Sequence, residues 1–295
     1  MKQKTFITLL AALLFSGASS ACQRGLNTLS KQLPANNLQP LTASLSPNIG
    51  EQNTQGKDDN SSSTREYKVD HFDKIDCSTV AHIYFTQGNE TRVVAKLRQG
   101  DLNFLEVSTH NGCLKLRTTW GKYPKGQYSV GPKNRVYIGE LDGSHSAQQE
   151  VDLYITAPSL RKLDLSGVCS FTAEHLNVPK LEVESKGVCQ IKLPDLKCNE
   201  TQLDISGVCT IDATIAGEEL EVHNSGSGTT NLDFKGTKAS FDNSGVGKFT
   251  AQVDCKILEA SNTGVATMKL KGTADQTEIK NGGMGKISTK GLNCY

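Results

Sequence analysis

The chain has 295 residues and a formal net charge of +1, from 32 lysines and arginines against 31 aspartates and glutamates. Residues 1–21 contribute Lys2 and Lys4 and no acid, so the remainder carries 30 − 31 = −1, which argues against a nucleic-acid binder because such proteins need excess positive charge. Only 36% of the residues are hydrophobic and 6% aromatic, and beyond residue 20 no apolar run approaches the roughly 18 residues of a membrane span, which excludes a polytopic membrane protein.

Residues 1–21 have the order of a secretion signal, with a basic start, an apolar stretch from Phe6 to Phe15 and small residues up to Ala21. Cys22 follows directly, which favours a bacterial lipoprotein signal in which Cys22 becomes the acylated first residue of the mature chain. Ordinary cleavage near Ala21, with Cys22 incidental, is the alternative. A diacylglycerol thioether plus an amide-linked chain would supply the several acyl groups that stable anchoring requires. We therefore expect an exported protein that is lipid-anchored in the bacterial outer membrane and faces the periplasm or the cell surface.

Residues 22–64 are polar and rich in Asn, Gln and Ser, without an apolar period of 2 or 3.6. Such a segment cannot bury enough surface to offset the entropy of ordering its backbone. We interpret it as a flexible tether that holds a folded body away from a membrane surface.

Residues 65–158 are rich in strand-forming residues but irregular, with turn signals such as Asn111-Gly112 between the apolar runs. The stretch from Trp120 to Gln149 contains two prolines and five glycines. It is predicted to be a long excursion, either a flexible loop or an insertion that covers one end of the fold.

From residue 159 onward a motif centred on a glycine recurs at spacings of 20, 20, 19, 19, 19 and 19 residues. The glycines are Gly167, Gly187, Gly207, Gly226, Gly245, Gly264 and Gly283. Apolar residues stand four positions before and, in most units, four after each glycine, with polar residues between them, so each unit contains two short segments of period 2. One such unit cannot close its own core, whereas stacked units can.

This repeat predicts an all-β protein, a right-handed parallel β-helix of about seven 19–20-residue coils over 159–295, preceded by less regular β coils in 65–158. We expect 65–295 to be one continuous domain. Asparagines that can bond to one another along a ladder stand two positions before the later glycines: Asn224, Asn243, Asn262 and Asn281. A leucine-rich repeat is the competing fold, since Leu160, Leu163 and Leu165 match its opening, but later units lack that signature.

Three short segments precede the serial Ser-Gly-Val units, namely Phe72-Asp73-Lys74-Ile75, Phe85-Thr86-Gln87-Gly88 and Ala157-Pro158-Ser159-Leu160. With them, the chain resembles over about 65–292 the bacterial family called putative auto-transporter adhesin, head GIN domain. The resemblance implies an envelope location and a binding role, and it supplies no catalytic residues. The chain departs from the family pattern where a second glycine is usual, because it has Cys169, Cys189 and Cys209 there.

These three cysteines occupy a column in which later coils have glycine or alanine, so the position is narrow and inward. We expect free buried thiols that act as small hydrophobes. One strained disulfide between neighbouring coils and a thiolate metal site are the alternatives. The pattern leaves the disulfide status open for Cys77, Cys113, Cys198, Cys255 and Cys294.

Most of the candidate binding residues stand in a row three positions before the glycines, on the outward face of the strands. Its acidic members are Asp164, Glu184, Asp204 and Asp242, and its other members are His223, Ser261 and Lys280. Carboxylates about 5 Å apart can bridge Ca²⁺, so this row is a candidate cation or ligand face. A solvated face balanced by neighbouring lysines such as Lys162 is the competing interpretation. We expect no required cofactor and no catalytic residue.

The signal, the tether and the repeat together predict a non-catalytic cell-envelope lipoprotein whose β-helix binds a partner in the manner of an adhesin. Its partners would be the membrane, through the lipid anchor, and an envelope glycan or protein, with no nucleic acid. A polysaccharide lyase or hydrolase that uses the outward carboxylate row is one alternative, and a purely structural envelope protein is the other.

Overall fold

The computed structural model describes residues 63–119, 129–131, 135–137 and 150–295. They lie in one compact unit that spans Asp58–Tyr295. The expected leader over 1–21, Cys22 and nearly all of the expected tether lie outside the described residues, as does most of the excursion between Trp120 and Gln149. Within the described ranges no helix is long and apolar enough to cross a bilayer.

The described residues before the repeats form short strands and a 3-10 turn at Leu102–Phe104. The strands are β1 (Thr64–Tyr67), β2 (Lys74–Cys77), β3 (Val80–Gln87), β4 (Arg92–Gln99), β5 (Leu105–His110), β6 (Cys113–Thr118), β7 (Ser129–Gly131), β8 (Arg135–Tyr137) and β9 (Glu150–Ala157). β7 and β8 pair with each other antiparallel, as a separate two-stranded sheet.

The repeat region continues with longer strands, several of which run through the bend from one side of a coil to the next. They are β10 (Lys162–Leu165), β11 (Val168–Ala173), β12 (Leu176–Ser185), β13 (Val188–Ile205), β14 (Val208–Ala216), β15 (Glu219–Asn224), β16 (Ser227–Lys235), β17 (Lys238–Asn243), β18 (Val246–Asn262), β19 (Val265–Asn281), β20 (Lys286–Ser288) and β21 (Leu292–Cys294).

Every strand segment of the repeat region pairs in parallel with its counterpart one coil on, which confirms the predicted parallel β-helix. Equivalent residues therefore meet in register. Phe171, Ile191 and Ile211 form one such column, and each is at most 1% exposed. Because successive side chains of a strand point to opposite faces, these inward columns form the core while the intervening polar residues face solvent.

The turn glycines lie where neighbouring coils approach most closely. A Cβ added to Gly207 would stand less than 3.0 Å from the carbonyl oxygen of Gly187, and one added to Gly187 would meet the carbonyl of Gly167 in the same way. Their φ angles are not in the left-handed region. Glycine is required here because the backbones need the space, and not because of an unusual turn conformation.

The N-terminal coils are stacked out of sequence order. β2 and β3 form a coil on which β10 and β11 stack in parallel. On the opposite side, the same coil is covered by β6 and β9, also in parallel. The end of the stack is then closed by antiparallel neighbours, because β5 pairs with β6, β4 with β9 and β1 with β4.

The Asn111-Gly112 signal lies at the two-residue turn between β5 and β6, where both residues have positive φ angles of 50° and 69°. This is the left-handed backbone that Asn and Gly adopt most readily, and it matches the twist of a tight hairpin.

We predict that Gly207→Ala destabilises the fold by about 3 kcal/mol or more, because the new methyl group would overlap the backbone of the preceding coil. Chemical denaturation followed by circular dichroism measures the loss. Gly282→Ala is the matched control, since a Cβ at Gly282 would meet nothing within 4 Å, and its effect should stay within about 0.5 kcal/mol. Equal losses in the two variants would show that close backbone approach is not what these glycines provide.

Candidate functional site

The outward row three positions before the glycines is continuous along the coils. Its members pair directly with one another, in the order Asp164, Glu184, Asp204, His223, Asp242, Ser261 and Lys280. They alternate with buried neighbours such as Leu163 and Leu203, so the strand period directs the whole row to solvent.

A groove runs beside this row, between it and the turn. It has a volume of about 140 Å³ and is lined by the row, by the residues just before the turn glycines and by two residues of the floor. The lining residues are Glu184, Lys186, Asp204, Ile205, Ser206, His223, Asn224, Ser225, Asp242 and Ser244. Positions three and one before the glycine lie on the same face of the strand, which is why acids and serines line one groove.

Two lysines neutralise the acids at the N-terminal end of the row. Lys162 donates to Glu182 over 2.6 Å and also to Glu184. Lys186 donates to Glu184 and, over 3.3 Å, to Asp164. Hydrogen bonds from Lys162 and then Lys186 outweigh the effect of partial burial and lower the pKa of Glu184 to about 2. The carboxylate of Glu184 therefore stays ionised at any physiological pH.

The acids further along the row have weaker partners. Asp204 accepts a hydrogen bond from Gln202 over 2.9 Å, and His223 lies 2.9 Å from Glu221 on its own strand. In the described part of the chain, the side chain of Asp242 has no hydrogen bond or ion pair. The groove thus changes from balanced charge near Lys186 to a carboxylate at Asp242 that is available to a ligand.

No three His, Cys, Asp or Glu side chains among the described residues come together in a way that could hold a metal ion. The row therefore presents its carboxylates one to a coil, with two of them engaged by lysines. Binding of Ca²⁺ between carboxylates of this row remains a prediction.

The four asparagines form a hydrogen-bonded ladder that begins at the groove with Asn224 and continues into the later coils. Asn224 donates to Asn243 over 2.6 Å, Asn243 to Asn262 over 2.8 Å and Asn262 to Asn281 over 2.8 Å. Asn243 and Asn262 are buried, so these side-chain bonds satisfy amides that would otherwise be costly to desolvate. The ladder holds Asn224, one of the two floor residues of the groove, in place.

The cysteine column lies inside the coils, away from the groove. Cys169, Cys189 and Cys209 pair in register, and all three are buried free thiols. Burial raises the pKa of Cys209 to about 12 and also raises that of Cys189. These thiols are therefore protonated and act as small core side chains. The remaining described cysteines are also free, and the Cys77 sulfur lies 3.4 Å from that of Cys169.

The sequence interpretation missed that Lys186 and the turn serines Ser206, Ser225 and Ser244 share the groove with the acidic row. The signal that could have found them is the same period of 2, since each of these residues stands two positions after the row member of its own unit.

A family model described as "Putative auto-transporter adhesin, head GIN domain" matches residues 71–240 and again 218–295. Among solved structures, a putative adhesin from Bacteroides fragilis is 22% identical, covers 77% of this chain and 95% of its own, and has a TM-score of 0.51. A putative adhesin from Parabacteroides merdae has 13% identity, the same coverage and a TM-score of 0.48. At 22% identity the Bacteroides fragilis structure shows the fold alone. Among curated proteins, none matches the chain.

We predict that Glu184→Gln flattens the acid dependence of stability. The folded-state pKa of Glu184 lies near 2 and its ordinary value is 4.5, so its contribution is complete above about pH 4.5 and disappears as the pH falls towards 2. The variant should be about 1.5–3 kcal/mol less stable than wild type at pH 7 and should approach it at pH 2. Urea unfolding at several pH values measures this difference.

Glu219→Gln is the matched control, because Glu219 is exposed and has no ion pair among the described residues. Its stability difference from wild type should be small and should not change with pH. A constant deficit for Glu184→Gln between pH 7 and pH 2 would contradict the proposed role of its two lysine partners.

Proposed function

Because the chain belongs to the family described as "Putative auto-transporter adhesin, head GIN domain", we propose that it is a non-catalytic cell-envelope lipoprotein whose β-helix binds an extended partner along the groove beside the turn glycines. The family description supports an adhesin-like protein associated with the cell envelope. The parallel coils provide a rigid scaffold of the kind on which solenoid proteins build long binding surfaces.

The proposal rests on the regular spacing of the polar side chains that line the groove. Similar polar side chains recur at the strand spacing of about 4.8 Å, with serine hydroxyls on one wall and Asp204, His223 and Asp242 on the other. Hydroxyls both donate and accept hydrogen bonds, whereas carboxylates only accept. A chain-like ligand with repeated hydroxyl or amide groups, such as an envelope glycan or an extended peptide, can meet several coils at once.

The lipid anchor belongs to the same proposal and rests on the sequence. A leader that ends in small residues directly before Cys22, followed by a polar tether, suits a binding domain held away from a membrane. Two or more acyl chains at one residue would make the attachment stable. Facing the periplasm and facing the cell surface are both compatible with this arrangement.

We predict that replacing Asp204 and Asp242 with alanine weakens partner binding at least tenfold. The full chain, kept in solution by Cys22→Ala, is immobilised and tested against a glycan array and against extracts of the cell envelope. The Asp233→Ala variant is the matched control, because Asp233 is exposed on another strand segment and lies outside the groove. Chelation of Ca²⁺ should leave binding unchanged, since binding through hydroxyl and carboxylate groups needs no metal.

The same preparation tests the catalytic alternative. Acidic polysaccharides incubated with the protein, with and without Ca²⁺, should give no ultraviolet absorbance from unsaturated sugars. Product formation that the Asp204 and Asp242 substitutions remove would contradict a binding role and favour a lyase. The absence of any ligand in both assays would favour a structural envelope protein.

We predict that Cys22→Ala moves the protein from the membrane fraction to the soluble fraction, and that mass spectrometry of the wild-type N-terminus finds acyl chains on Cys22. Cys294→Ala is the matched control, because it removes a different cysteine, which is exposed, and it should leave the protein with the membranes. Protease treatment of intact cells then shows which side the domain faces. A wild-type N-terminus that begins after Ala21 without acyl groups would exclude the anchor.

A further inference from the structure

A pair of tyrosines stands on the outer face near the N-terminal end of the stack. Tyr84 on β3 and Tyr154 on β9 pair in register, and their rings stack with centroids 5.2 Å apart and planes inclined by 17°. Tyr154 is 46% exposed. An aromatic ring of this size that remains so accessible on a folded surface is typical of a contact site.

Polar groups beside the tyrosines are held in place by a connected network. Arg98 donates through Nε to Asp152 over 2.6 Å, lies 3.6 Å from Glu150 and lies 3.5 Å from the Tyr84 hydroxyl. Asp152 is only 7% exposed, so this charge-assisted pair is fixed rather than mobile. The network continues because His82 bridges Glu150, over 2.9 Å, and Ser170, over 2.8 Å.

The site is assembled by the fold from four separate strands. Tyr84 and His82 come from β3, Tyr154 and the two acids from β9, Arg98 from β4 and Ser170 from β11. Arg98, Glu150 and the Tyr84 hydroxyl all have hydrogen-bonding capacity left beyond these contacts. A flat apolar surface thus lies next to rigid donors and acceptors, which is the composition of small-molecule recognition sites.

We propose that this tyrosine platform, made of Tyr84 and Tyr154 with Arg98, Glu150 and Asp152 beside them, binds a neutral pyranose unit of a glycan. A pyranose presents an apolar C–H face that can lie on an aromatic ring and equatorial hydroxyls at its rim that reach fixed polar groups. The platform is separate from the groove and can bind whether or not the groove does.

The local charge favours a neutral sugar. Lys96 and Arg98 supply two positive charges, and Glu150 and Asp152 supply two negative ones, with Lys96 directly opposite Asp152 in the sheet. An acidic glycan or a nucleic acid would require an excess of positive charge. A protein partner is also disfavoured, because one stacked ring pair is far smaller than the roughly 800 Å² per partner of a stable protein interface.

Affinity electrophoresis tests the platform with the full chain carrying Cys22→Ala. Native gels contain a neutral glucan, mannan or galactan, or polygalacturonate as the acidic probe. We expect at least one neutral polysaccharide to retard the protein, Tyr154→Ala to weaken that retardation at least tenfold and Tyr154→Phe to keep it within about twofold. Tyr295→Ala, at a tyrosine that is 86% exposed at the C-terminus, is the matched control and should bind as wild type.

Thermal melts by circular dichroism verify that each variant is folded. Retardation that survives Tyr154→Ala, retardation by polygalacturonate alone, or no retardation by any neutral polysaccharide would each overturn the proposal. The Asp204→Ala and Asp242→Ala double variant should bind the neutral polysaccharide as wild type does. Its loss of binding would instead assign that ligand to the groove and equally overturn the platform.

Discussion

The close contact between coil backbones at the turns is the constraint on which the rest of the structure depends. From Gly187 onward, each turn glycine lies against the carbonyl oxygen of the equivalent glycine one coil earlier, with no room for a Cβ between them, and Gly167 lies against that of Thr79 in the same way. Parallel hydrogen bonding then fixes the register of everything that follows in the coil. Inward-facing columns of residues therefore form a continuous core, and outward-facing columns form continuous rows on the surface. The surface chemistry repeats from coil to coil because the backbone repeats.

Within this regular frame the groove is not uniform. Its floor changes from Ile205 to Asn224 between adjacent coils, and its acids change from lysine-paired at Glu184 to unpaired at Asp242. A long ligand would therefore meet balanced charge at one end and a free carboxylate at the other. This gradient gives an otherwise repetitive surface a direction, which a uniform ladder of side chains could not provide.

The fold of the repeat region could be predicted from the sequence because residues that pair between neighbouring coils lie 19 or 20 positions apart. The spacing of the glycines shows this register directly. The N-terminal coils could not be predicted in this way. β2 pairs with β10 across 88 residues, as in Ile75 with Leu163, and no sequence periodicity indicates such a pairing. The groove was found in part: the acidic row is visible as a column with Lys162 beside it, whereas the pairing of Lys186 with Asp164 and Glu184 depends on side-chain conformations. The tyrosine platform was missed because Tyr84, Arg98 and Tyr154 belong to three irregular segments that only the fold brings together.

The displaced position of the β2–β3 coil also bears on how the chain assembles. In the sequence this coil precedes all four strands that cover it. Its two faces are completed only by β6 and β9 on one side and β10 and β11 on the other. Loop-closure entropy makes such distant contacts slower to form than the near-neighbour contacts of the later coils. The later coils are thus favoured to fold first, and the N-terminal end of the stack is completed last.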